Sequence, residues 1–274
     1  MMESSPWTLD WQAWVERWDR MQEKHLFARA ERFDLMGRLI ADTQPTVHRI
    51  LDLGCGPGTL TLAFLIRFPT AHVYGVDLDP TLLPLARART ARYADRAHFL
   101  QVDLRTAAWL RDVPAPVDAV VSATALHWLN RQYIETLYAQ MATVIRPGGI
   151  FLNADHAGSD SPAIQACWER HRAAVRQEQP REDAEDWEGF WRAYLTALGP
   201  DARQTREAAL GGRDGIEAGL PLAWHLDQLR LHGFSHVDCF WRADCDAIYG
   251  GLFQDSAETA RPPIDGWSLL RHLE

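Results

Sequence analysis

Three glycines, two carboxylates at the ends of strand-like runs and two histidines carry the chemistry this sequence can perform. In ILDLGCGPGTL an apolar run enters Gly54, Gly56 and Gly58, and a helix-like stretch follows. Glycines in that setting permit a tight turn and let a ligand approach backbone N–H groups, at the sheet edge where open α/β folds bind ligands. A nucleotide-like cofactor is implied. A dinucleotide fingerprint needs its third glycine at Thr59, whereas the spacing here is G-x-G-x-G, which makes a nicotinamide dinucleotide the weaker choice. Asp77 closes the next run, about one β-α-β unit on, where a carboxylate can accept from both ribose hydroxyls. The rival role, capping a helix that begins near Pro80, suits Asp79 better. Asp103 closes the third run and can accept from an adenine amino group, with Leu78 and Leu104 gripping the base; the alternative is a solvated strand-end aspartate.

Proton chemistry has fewer candidates. His127 lies in ALHWL just beyond the fourth run, and His156 follows Asp155 just beyond the fifth. Either imidazole can serve as a general base. A core histidine at 127 and a loop-capping histidine at 156 are the competing readings. Asp155 can fix the tautomer of His156, although neighbours along a strand point to opposite faces.

These residues need a scaffold, and the sequence supplies one. Short β-rich runs at 48 to 53, 71 to 77, 98 to 103, 117 to 122 and 149 to 155 alternate with apolar-periodic helical stretches. Runs that are apolar without strict alternation and separated by helix-length segments indicate β-α-β units, hence a doubly wound, mostly parallel α/β sheet covered on both faces. Before it, Trp7, Trp11, Trp14 and Trp18 fall on one face of a helix, and a second helix runs toward Thr43-Gln44-Pro45. After it comes a polar, tryptophan-bearing stretch with Trp168, Trp187 and Trp191, then a helix and two strands. The division expected is an N-terminal helical lid (1–46), a ligand-binding core (47–155), a helical insertion (156–216), the last helix and strands of the core (217–252) and a tail (253–274).

The 274 residues carry 28 basic against 37 acidic side chains, a net charge of −9, which disfavours a nucleic-acid partner. No apolar run reaches the length of a membrane helix, and the start MMESSPWTLD lacks a secretory pattern, so a cytoplasmic location is expected. Cys55, Cys167, Cys239 and Cys245 have no metal-ligand or disulfide spacing, so no metal site is expected. Lys24 is the only lysine, which excludes P-loop and Schiff-base chemistry unless Lys24 itself serves.

The ordered set ILDLGCGPG, VYGVDLDP, QVDL, VDAVVSATALHWL and IRPGG resembles the class I S-adenosylmethionine (SAM)-dependent methyltransferases, over about residues 48 to 155. HGFSHVDCFW and DAIYGG are similar to that family's last two strands. The resemblance implies a Rossmann-like sheet of seven strands, the last antiparallel. It places Asp52, Gly54, Cys55, Gly56 and Gly58 near the methionine moiety, Asp77 and Leu78 at the ribose and base, Asp103 and Leu104 at the adenine, and Ser122 beside the sulfonium. Within the family, the leading helices and ALHW resemble small-molecule methyltransferases of the trans-aconitate and malonyl-carrier-protein type. By that likeness Arg29 or Arg32, with Arg32 preferred, pairs with the SAM carboxylate; a solvated helix arginine is the alternative.

Methyl transfer from a sulfonium is an in-line displacement that mainly requires alignment of the nucleophile and exclusion of water. The expected reaction is transfer to an oxygen or nitrogen of a small organic acceptor, leaving S-adenosylhomocysteine, by a monomer or homodimer. Trp128, Asn153 and Asp155 are expected on the acceptor side, with the tryptophan stripe and the insertion closing over it. The alternatives are a SAM-binding enzyme catalysing a different reaction and a non-catalytic partner subunit.

Overall fold

A computed structural model of the chain describes residues 9–22, 28–178, 185–211, 215 and 219–254. Two helices lead, α1 (Trp11–Gln22) and α2 (Arg29–Thr43). Strands and helices then alternate through β1 (Arg49–Leu53), α3 (Thr59–Arg67), β2 (His72–Asp77), α4 (Leu83–Arg89), β3 (Ala97–Gln101), β4 (Val117–Ala123), α5 (Arg131–Val144) and β5 (Ile145–His156). Helices α6 (Pro162–Glu178), α7 (Trp187–Leu198), α8 (Ala202–Leu210) and α9 (Leu222–Leu231) follow, before β6 (Phe234–Ala243) and β7 (Asp246–Phe253).

All seven strands form one sheet in the order β3-β2-β1-β4-β5-β7-β6. Its first five strands pair in parallel, while β7 runs antiparallel to both β5 and β6. The doubly wound, mostly parallel seven-stranded architecture with an antiparallel last strand is therefore present. Successive strands step outward from β1 to β3, and the chain then returns to lay β4 on the other side of β1. A crevice opens at such a reversal, beyond the carboxyl ends of the strands.

The absence of alternation in the strands has a direct cause. Leu51, Leu53, Val76, Val120 and Phe151 face one layer, with Leu137, Tyr138 and Met141 of α5 and Leu229 of α9. Ile50, Val73, Ala119, Val121 and Leu152 face the other, against Met36 and Ile40 of α2 and Leu60, Phe64 and Leu65 of α3. With both faces buried, every strand position favours an apolar side chain.

Three boundaries differ from the sequence-based expectation. Strand β3 stops at Gln101, so Asp103 sits in the loop beyond it. Strand β5 starts at Ile145, running through Pro147, Gly148 and Gly149, with an irregularity that shifts its pairing with β4. Helix α4 begins at Leu83, because Asp79 and Thr81 form a turn first. Trp7, Lys24, Phe27 and most of the tail fall outside the described residues. No helix among the described residues is long and apolar enough to cross a membrane.

Candidate active site

The three loop glycines adopt φ angles of 67°, 52° and 76°, in the left-handed region, but they do different work. A Cβ on Gly54 would stand 2.4 Å from Ala125 Cβ, so this glycine lets the loops after β1 and β4 touch. A Cβ on Gly58 would come within 3.1 Å of Ala86, so this one seats α3 against α4. Beside Gly56 the space is open, with Leu82 Cδ1 at 4.0 Å the nearest atom to an added Cβ. Asp77 fixes the loop from the next strand: its Oδ2 accepts from Gly56 N–H at 2.7 Å, and its Oδ1 from Asp79 N–H at 2.8 Å. The same carboxylate lines the cavity, where an ionised group acts only as a hydrogen-bond acceptor.

A cavity of about 470 Å³ opens there, lined by Asp52, Gly54, Cys55, Gly56, Asp77, Leu78, Asp103, Leu104, His127, Trp128 and His156 among the residues singled out from sequence. Thr61 Oγ1 donates to Asp52 at 2.6 Å, yet burial, reinforced by the nearby Asp77 charge, pushes the Asp52 carboxyl up to about 7. Asp103 grips Arg105 through Nε and Nη2 at 2.9 Å. Its partial burial works against the charge, but those hydrogen bonds outweigh it and hold the carboxyl below its usual range.

Five expected contacts are displaced from the cavity wall. Gly58 serves the helix packing just described. Ser122 is fully buried and its Oγ donates to Leu53 O at 2.7 Å, clasping β1 to β4; Ala123, Thr124 and Ala125 form the wall instead. Asn153 is buried and donates to Tyr249 Oη at 2.8 Å. Asp155, 1% exposed, lies behind the wall. Arg32 is 3% exposed, with its guanidinium 5.6 Å from the Trp241 ring centre, while Arg29 lines the cavity three residues earlier. Helical rotation separates the two arginines, and sequence alone does not fix that rotation.

Both histidines are oriented by carboxylates, though not in the pairing expected. Asp155 Oδ1 lies 2.6 Å from His127 Nδ1, while Asp246 Oδ1, from the start of β7, lies 2.6 Å from His156 Nδ1. Asp155 also accepts the backbone N–H of His127 and of His156. Burial pushes the Asp155 carboxyl up, but the charge and hydrogen bond of His127 and those of His156 overcome it and hold it well below the carboxylate range. Asp246 is held down in the same way by His156, with Arg32 and Arg172 assisting against burial. The two imidazole rings stand 4.8 Å apart.

The opposite wall comes from outside the sheet. Trp18 of α1 packs on Phe190 and Trp191 of α7 at ring separations of 5.2 and 5.9 Å, and Trp14 meets Tyr194 at 5.1 Å. Trp18, Trp187 and Trp191 reach the cavity; Trp168 does not, lying under the Arg242 guanidinium at 4.5 Å. Sequence reasoning missed Gln22, Phe33, Tyr133, Arg172 and Arg206, all of which line the cavity. Arg206 stacks 3.6 Å from the Trp191 ring centre and donates to Asp79 at 2.7 Å. Nothing in the spacing of α6 and α8 announces these arginines; Asp246, opening the DAIYGG strand, was the most legible of the missed residues. Thr59 Oγ1 and Trp191 Nε1 are buried in the lining with no partner among the described residues, an arrangement suited to a polar ligand.

Residues 50–149 match the methyltransferase domain family. The trans-aconitate 2-methyltransferase of Azoarcus sp. (strain BH72) is 33% identical over 178 residues, 62% of this chain and 62% of its own length. That of Streptomyces avermitilis is 33% identical over 195 residues, 68% of this chain and 70% of its own. The chain thus spans between six and seven tenths of the length of these relatives. An O-methyltransferase family protein from Burkholderia thailandensis has the same fold, with a TM-score of 0.55 at 16% identity over 89% of this chain and 70% of its own.

Proposed function

The chain belongs to the class I SAM-dependent methyltransferases, and from that premise we propose that it transfers a methyl group to an oxygen or nitrogen of a small organic acceptor. The observation that carries this reading is Asp77, tied to the N–H of Gly56 and lining the cavity beside the open space at that glycine. When bound, SAM supplies a methyl carbon made electrophilic by the sulfonium. Asp77 would take the ribose hydroxyls, Leu78, Val102 and Leu104 the faces of the adenine, and Asp103 its amino group. Asp52 would face the cationic methionine end, and Arg29 its carboxylate.

The remaining cavity is the acceptor chamber, walled by Trp18, Trp128, Trp187 and Trp191. In this reading α1, α7 and α8 act as the lid: the aromatic side chains of α1 and α7, with Arg206 and Leu210 of α8, exclude water and align the nucleophile, which is most of what a displacement at carbon demands. The relatives named for trans-aconitate place carboxylic acids among the acceptors to try. The same reading has the enzyme working in the cytoplasm, as a monomer or homodimer, with its four cysteines as free thiols.

Turnover tests it. Purified protein, labelled SAM and a panel of acids, phenols, alcohols and amines should yield labelled product and S-adenosylhomocysteine with at least one acceptor. SAM binding with no S-adenosylhomocysteine release across the panel would contradict methyl transfer and favour another SAM reaction. No SAM-induced rise in melting temperature would contradict the cofactor itself.

A further inference from the structure

The two carboxylate-held imidazoles point beyond methyl transfer in general to the class of acceptor. Taking the proposed methyl transfer as given, we infer that the nucleophile is a neutral hydroxyl group, a phenol or an alcohol, which His127 deprotonates through Nε2, with Asp155 and the His156–Asp246 pair as positioning groups. An ionised carboxylate only accepts hydrogen bonds, so the proton between Asp155 and His127, and that between Asp246 and His156, resides on Nδ1. In the neutral ring Nε2 is then the acceptor. Neither ring has a further side-chain hydrogen bond among the described residues, and both line the cavity.

Charge on this wall favours the same reading. The groups facing the two rings are Asp155 on β5, Asp246 on β7, Arg32 on α2 and Arg172 on α6, with His225, Tyr138 and Tyr249 within the electrostatic reach of Asp155. Two carboxylates and two guanidiniums balance in number on this wall, so it carries no net charge when both imidazoles are neutral. Of the other cavity arginines, Arg105 is paired with Asp103 and Arg206 with Asp79, while Arg29 shares Asp19 with Arg89 and lines the same cavity as the carboxylates Asp52 and Asp77. Arg172 donates to Cys245 Sγ at 2.8 Å and adds its charge to Asp246. A carboxylate acceptor would enter a chamber with no surplus positive charge, and it needs no base. A hydroxyl acceptor enters uncharged and uses the base that is there. As the acceptor oxygen bonds to the methyl carbon, the S–C bond breaks with its electron pair leaving on sulfur. The hydroxyl proton passes to His127 Nε2, so one positive charge is lost from sulfur and one is gained on the imidazole. From there the proton is released to solvent.

The test has two arms. Full-length protein labelled with ¹⁵N-histidine, with signals assigned through His127→Gln and His156→Gln, should show both rings as Nδ1–H tautomers at pH 7.5. Asp246→Asn should alter the His156 pattern and Asp155→Asn that of His127, the former serving where the latter does not fold. Nε2–H tautomers, or no response to the orienting variant that folds, would overturn the inference. In the second arm, 4-methylphenol and 4-methylbenzoate compete as probes with labelled SAM. The phenol should be methylated faster, with kcat falling roughly 100-fold to 10,000-fold in His127→Gln at unchanged SAM affinity. Preference for the benzoate, or an unchanged kcat, would overturn it, and where neither probe reacts the tautomers decide. SAM calorimetry on the same sample separates the failures: no binding removes the proposed function, whereas binding with the wrong tautomers removes only this inference.

Discussion

Asp77 holds the glycine loop and, in the proposed function, the cofactor ribose as well. Replacing it with Ala should weaken SAM binding by about 1–3 kcal/mol, roughly 5-fold to 150-fold in Kd, for a lost charge-assisted hydrogen bond. Calorimetry reads the change, and far-ultraviolet circular dichroism should show the fold retained. Asp52 gives a pH signature. Its folded carboxyl titrates at about 7, far above the unfolded value near 4. Its neutral form is therefore the one the fold prefers, and the stability it contributes is fully present below about pH 4 and lost as pH rises toward 7. A cationic ligand beside it reverses that preference. SAM binding at pH 6 should thus release a fraction of a proton, measurable as a dependence of binding heat on buffer ionisation enthalpy, and Asp52→Asn should abolish the release.

The lid rests on aromatic packing between α1 and α7. Phe190 is fully buried among Trp14, Trp18, Trp191 and Tyr194. Truncation of such a residue costs about 3–5 kcal/mol locally. Phe190→Ala should raise amide exchange in 11–22 and 187–198 while β1, β4 and β5 keep their protection; uniform loss of protection would mean that the aromatic cluster supports the whole fold. At the sheet edge, Gly54→Ala combines a φ of 67° with a 2.4 Å approach to Ala125. It should lower both the melting temperature and SAM affinity, with the larger share falling on stability, whereas in Asp77→Ala the larger share falls on affinity. The helices and the five parallel strands were legible in sequence because period and burial agree there. The start of β5 was not, since Pro147 and Gly148 put the start of the run at Gly149, and neither was the end of β3, where Val102 continues the apolar run for one residue past Gln101.

Across the whole molecule, the site forms where the strand order reverses between β1 and β4, with α1, α7 and α8 closing the far side. Local motifs revealed the half of the site that sits in consecutive residues: the glycine loop, Asp77, and the loops carrying Leu104 and His127. Pairings between distant segments were not readable, because no spacing rule links Asp155 to His127, Asp246 to His156 or Arg206 to Asp79. The same gap left open that Arg29 and not Arg32 lines the cavity, and that Ser122 Oγ clasps two strands. Everything functional nonetheless depends on the cavity beside Gly56 accepting SAM. Titrating SAM into the purified full-length chain by calorimetry is the most direct measurement. Saturable binding at one site per chain, weakened in Asp77→Ala, is the predicted result; absence of binding heat together with an unchanged melting temperature, or binding indifferent to Asp77, would contradict it.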